Sequence, residues 1–129
     1  MHRKFLVVAA LLAALAVAFG AFGAHGLKQI VEAETVQTFQ TGVQYQMYHA
    51  LALLLTGILV EKFPSKLLIY ASWFFIAGII LFSGSLYLLT LFKATDTVGL
   101  NKLGLITPFG GLSFILGWIC LFISFWRKK

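Results

Sequence analysis

Residues 5–24 read FLVVAALLAALAVAFGAFGA, twenty positions without an Asp, Glu, Lys or Arg. A helix needs roughly 20 apolar residues to cross the hydrocarbon core of a bilayer, so this run reads as a membrane span. Three more runs share its character: Val43–Val60, Leu67–Phe92 and Leu103–Trp126. None shows the two-residue alternation of a barrel strand. In lipid each backbone amide needs an internal partner, which leaves the helix as the form for such segments. A mean hydropathy of +0.95 fits that class. The chain therefore reads as all-α, an integral membrane antiparallel four-helix bundle in one transmembrane domain over residues 1–129. The connectors are too short for a domain outside the bilayer.

The N-terminus also has features of a signal peptide: basic His2-Arg3-Lys4, an apolar run, then small residues through Ala24. Its apolar stretch exceeds the usual 7–15 residues of such a leader, so it is expected to stay as the first span. The net charge of +6 sits at helix ends and in connectors. No basic stripe gathers on one face, which argues against nucleic acid as a partner and for a lipid bilayer. Arg3, Lys4, Lys62, Lys66, Arg127, Lys128 and Lys129 fall on one side of the four spans; Lys28, Lys93 and Lys102 fall on the other. The excess places both termini and the Glu61–Lys66 turn in the cytoplasm, in a cell (inner) membrane.

Pro64 blocks helix continuation in that turn, and Ser65 is placed to cap the next helix. Asp96, Gly99 and Asn101 mark a second turn. In the His25–Gly42 connector, Leu27, Ile30, Val31, Val36 and Phe39 recur near helical spacing among polar residues. That pattern predicts an amphipathic outer-surface helix running into the second span, with a plain loop as the alternative.

Small residues pick out the packing faces. Ala9, Ala13, Ala16, Gly20 and Gly23 recur at intervals of 4, 3, 4 and 3, while Gly110, Ser113, Gly117, Cys120 and Ser124 recur at 3, 4, 3 and 4. Lipid gives no hydrophobic drive for helix association, so close approach through small residues must supply it. The second span instead carries a mostly polar stripe: Thr35, Thr38, Gly42, Tyr45, His49, Ala52 and Thr56. Polar groups cost several kcal/mol in hydrocarbon without partners, so this stripe should face inward. Pro108 with Gly110 and Gly111 suggests a kink or a close approach early in the fourth span.

Any site is expected in the outer third of the bundle, where His49, Tyr45, Tyr48, His25, Ser83, Ser85, Tyr87 and Thr107 would converge. His49 is expected about two turns from the outer end, with His25 near the same face. No catalytic set, metal-ligand spacing or cofactor motif is legible, so neither metal nor cofactor is expected. Cys120 stands alone and forms no internal disulfide.

Four stretches carry a resemblance: Gly20–His25, Thr41–His49, Leu81–Tyr87, and Thr107–Gly111 with Gly117-Trp118. In that order they resemble the "domain of unknown function 423" family, small membrane proteins related to a eukaryotic transmembrane protein. The resemblance implies a four-helix integral membrane protein and brings no activity, substrate or cofactor. Three functions stay open. The first is an accessory subunit, packing with itself as a homo-oligomer or with a larger membrane complex. The second is a small-solute transporter or channel acting as an oligomer. The third is a membrane enzyme or haem-binding protein using His49 and His25.

Overall fold

The computed structural model describes residues 3–95 and 101–127, with the backbone alone at 101 and 102. His2, Asp96, Gly99, Lys128 and Lys129 lie outside the described residues, as do the side chains of Asn101 and Lys102. The described residues are helical or form short turns. Helix α1 spans Arg3–Ala24, α2 Ala33–Lys62, α3 Lys66–Gly78, α4 Gly84–Ala94 and α5 Thr107–Trp126. A five-residue π turn, Ile79–Ser83, joins α3 to α4. Lys66–Ala94 is therefore one apolar segment, and it joins Arg3–Gln29, Ala33–Lys62 and Leu103–Trp126 as four segments long enough to cross a membrane.

The helix ends follow from local chemistry. Ser65 adopts an extended backbone and its hydroxyl accepts the Leu67 amide at 3.2 Å, capping α3. Pro108 lies in the first turn of α5 and does not kink it. At that position the missing N–H was never going to find an intrahelical partner.

The connector between the first two spans departs from expectation. It forms no separate amphipathic helix among the described residues: a single 3-10 turn, Leu27–Gln29, leads into α2 at Ala33. Four of the five apolar positions behind that expectation pack inward, while Ile30 is 58% exposed. Leu27 and Phe39 are buried with Ala16 and Val43, and Val31 and Val36 pack against them. Their apolar face meets α1. Residues 33–42 become the first turns of a 30-residue helix.

Helix α2 is the hub. One face meets α1: Gly57 lies against Phe5 and Leu6, Gly20 against Val43, and Gly23 against Phe39 and Gln40. The other face meets the third span, with Thr56 against Ser72 and Gly42 against Ser83, Leu86 and Tyr87. Helix α5 packs mainly on α3 and the π turn. There Gly110 meets Phe82, Gly78 meets Phe114 and Gly117 meets Phe75. In each pairing, numbers fall along one helix as they rise along its neighbour.

Of the small residues on α1, Ala9, Ala16 and Gly23 are buried, while Ala13 and Gly20 are half-buried. On α5, Gly110, Ser113, Gly117 and Ser124 are buried. Val7, Leu11, Val17, Leu112, Ile115 and Phe122 cover the outer faces of these two helices.

Candidate functional site

His49 lies 5% exposed where α2, α3 and α5 meet. Its ring stacks on Phe114 with centroids 3.5 Å apart and planes within 7°. The Phe75 and Trp118 rings also lie against it, at 5.6 and 5.9 Å. Both ring nitrogens are used: Nδ1 lies 2.8 Å from the Tyr45 carbonyl oxygen, and the Trp118 indole N–H donates to Nε2 at 3.1 Å. An indole N–H can only donate and a carbonyl can only accept. The pair of bonds therefore assigns the proton to Nδ1 and makes Nε2 an acceptor, a neutral imidazole with both nitrogens satisfied.

A second network ties α1, α2 and α4 together through Gln46, which is 2% exposed. Its side-chain amide donates to the Leu12 carbonyl at 2.7 Å, and its oxygen accepts the Tyr87 hydroxyl at 2.6 Å. The Tyr87 ring packs edge-on against Phe19 and tilted against Phe39. Ser83 in the π turn donates to the Gly42 carbonyl at 2.6 Å, and Ser113 on α5 donates to the Phe74 carbonyl at 2.7 Å. Thr56 and Ser72 pair at 2.8 Å, Ser85 and Thr107 at 2.5 Å.

The model described as "Protein of unknown function (DUF423)" matches residues 19–111. The chain belongs to this family. It is 43% identical to the UPF0382 membrane protein YwdK of Bacillus subtilis, over 95% of either chain. It is 42% identical to a UPF0382 membrane protein of Haemophilus influenzae, over 100% of this chain and 98% of that one. The UPF0382 inner membrane protein YgdD of Escherichia coli is 37% identical, over 98% of this chain and 92% of its own. No solved structure matches this chain at a significant level. This member of the DUF423 family is thus a membrane protein with four candidate spans.

The eight residues expected to form one outer site are dispersed in this DUF423 protein. His49 is near the middle of α2, with Ala33 sixteen residues before it and Lys62 thirteen after, not in the outer third. His25 is exposed beyond the end of α1. Gly23 of α1 is level with Gln40, nine residues before His49. At 1.5 Å per residue Gly23 is roughly 13 Å from the level of His49 along the bundle, and His25 lies further out still. The two histidines also differ in setting, since His49 faces α3 and α5 while α1 lies on the other side of α2. Both nitrogens of His49 are engaged within the chain, and neither points to His25.

Tyr45 packs on Phe82 at 4.8 Å and Tyr48 is 56% exposed. Ser83, Ser85, Tyr87 and Thr107 are spent in the pairs described above. A lateral crevice of about 690 Å³ between α2 and α5 is lined by Tyr45, His49, Phe82, Pro108, Trp118 and neighbouring apolar residues. Of the eight expected residues, it takes in Tyr45 and His49.

Gln46 and Trp118 are central to these networks, yet neither stood out as a candidate. Gln46 does carry a usable signal, being a long amide seven residues from Phe39 and Leu53 on the α1-facing side. Tyr87→Phe tests its network by leaving the Gln46 oxygen without its donor. Interhelical hydrogen bonds in membranes average about 0.6 kcal/mol and reach about 1.7. The expected loss of unfolding free energy in detergent is about 0.5–1.5 kcal/mol, and an unchanged value would show that the bond does not fasten α4 to α2.

Proposed function

We propose that the protein is an intramembrane packing subunit of the inner membrane, assembling with copies of itself or within a larger membrane complex, both termini in the cytoplasm. The observation that carries this reading is where the polar side chains of the spans go. Gln46, His49, Thr56, Ser72, Ser83, Ser85, Tyr87 and Ser113 all bond within the chain, most of them between helices. Chemistry on a substrate would need some of these groups at liberty; here they serve as fasteners. The outer faces of α1 and α5 offer bulky apolar side chains for lipid or another helix. The inner-membrane relative in Escherichia coli and the excess of Lys and Arg on one side support the location and orientation.

Purification from the native host in mild detergent should yield a homo-oligomer or a stoichiometric second chain, with no solute flux when the purified protein is placed in liposomes. A monomer that conducts ions or small solutes would overturn the reading. Orientation has its own test. In a Cys120→Ser background, a cysteine at Ser65 should react with an impermeant reagent from the cytoplasmic side only, and one at Thr95 from the outside only. Labelling of both from outside would overturn it.

A further inference from the structure

We infer that a recess at the charged end of the bundle binds a single phosphate-class anion, either the phosphodiester of an acidic lipid or free phosphate. The recess, about 310 Å³, is lined by Pro64, Ser65, Leu67, Ile123, Ser124 and Arg127. It lies where the start of α3 meets the end of α5. Three independent features face it.

The first is the α3 N-terminus. Ser65 caps the Leu67 amide, and the other first-turn N–H groups have no intrahelical acceptor. They present partial positive charge to an anion. The second is Ser124. The other serines buried in the spans, Ser72, Ser83, Ser85 and Ser113, each donate to a backbone carbonyl. Ser124 is 9% exposed and its hydroxyl has no partner among the described residues. No described buried polar atom is both sealed from solvent and unbonded, so this hydroxyl keeps its access to the recess it lines. A polar group held at such a place without a partner is suited to donating to a ligand oxygen. The third is Arg127, whose planar guanidinium matches two phosphate oxygens at once.

The surrounding field agrees. At this end the described residues include Arg3, Lys4, Lys62, Lys66 and Arg127 against one acid, Glu61. At the opposite end the described side chains are Lys28 and Lys93 against Glu32 and Glu34. A recess that combined a helix N-terminus with acids would repel phosphate; this one attracts it.

Native mass spectrometry of the full chain tests the site, with short-chain phosphatidylglycerol, phosphatidylcholine and inorganic phosphate as the three probes. The wild type should retain one phosphatidylglycerol in preference to phosphatidylcholine. Arg127→Gln should weaken retention about tenfold and Ser124→Ala about fivefold. Lys28→Gln, which removes one charge at the other end, should not. If inorganic phosphate binds with the same dependence on Arg127 and Ser124 and displaces the lipid, the anion is free phosphate; if it does not, the lipid headgroup is the ligand. Equal retention of the two lipids with no phosphate binding would overturn the site. So would equal losses in Lys28→Gln and Arg127→Gln, or a Ser124→Ala variant that binds as the wild type does.

Discussion

Gly110→Ala is expected to destabilise the protein sharply, while Gly111→Ala, one residue along, leaves it unchanged or makes it firmer. A Cβ on Gly110 would come within 2.7 Å of the Phe82 Cα and closer still to the Phe82 backbone nitrogen. No side-chain rotation relieves a clash with backbone, so α5 would have to move off the π turn. Overpacking of this kind costs about 1–3 kcal/mol. A Cβ on Gly111 meets nothing within 4 Å. There the exchange relieves the entropic cost of a helical glycine, worth about 0.5–1 kcal/mol. The two variants should differ by about 1–4 kcal/mol in an unfolding titration in mixed micelles. Equal midpoints would mean that α5 does not sit on Phe82.

His49→Leu should cost about 1–3 kcal/mol, combining a lost ring stack with a stranded indole N–H. His49→Gln can still offer an acceptor to Trp118, so it should recover part of that loss. The sharper measurement is a cycle. His49→Leu with Trp118→Phe removes donor and acceptor together, so the double variant should lose less than the sum of the single losses, by about 0.5–1.5 kcal/mol. Strict additivity would refute the bond. If His49 only fastens helices, any cellular phenotype of His49→Gln should track the amount of protein in the membrane. A stable, abundant His49→Gln protein that has lost its phenotype would instead give the imidazole a chemical role and displace the packing-subunit reading.

Much of the architecture is legible in the chain itself. The run at residues 5–24 needs no context to be read as a span, because hydrophobic length is a property of the segment alone. The Ser65 cap and the start of the helix after it are equally local, since a hydroxyl and an amide two residues apart settle them. The 3,4 spacing of Gly110, Ser113 and Gly117 marks one side of α5 in the same way. Which neighbour that side meets cannot be read from spacing.

Partners across the bundle belong to the tertiary structure. His49 was legible as a polar residue in an apolar run, yet its donor is Trp118, 69 positions away. Gln46 gains its meaning from Leu12 and Tyr87, which lie on two other helices. The π turn at Ile79–Ser83 has no pattern in the sequence that announces it. It forms where Gly110 pulls α5 onto Phe82 and Ser83 reaches the Gly42 carbonyl, contacts that exist only once three helices are assembled. The chain alone determined which four segments are long and apolar enough to span a membrane and where the helix after Ser65 begins, because hydrophobic length and end-capping act on neighbouring residues. Only the folded bundle decided which side chains meet, because a polar group in hydrocarbon takes whichever partner the neighbouring helix brings within reach.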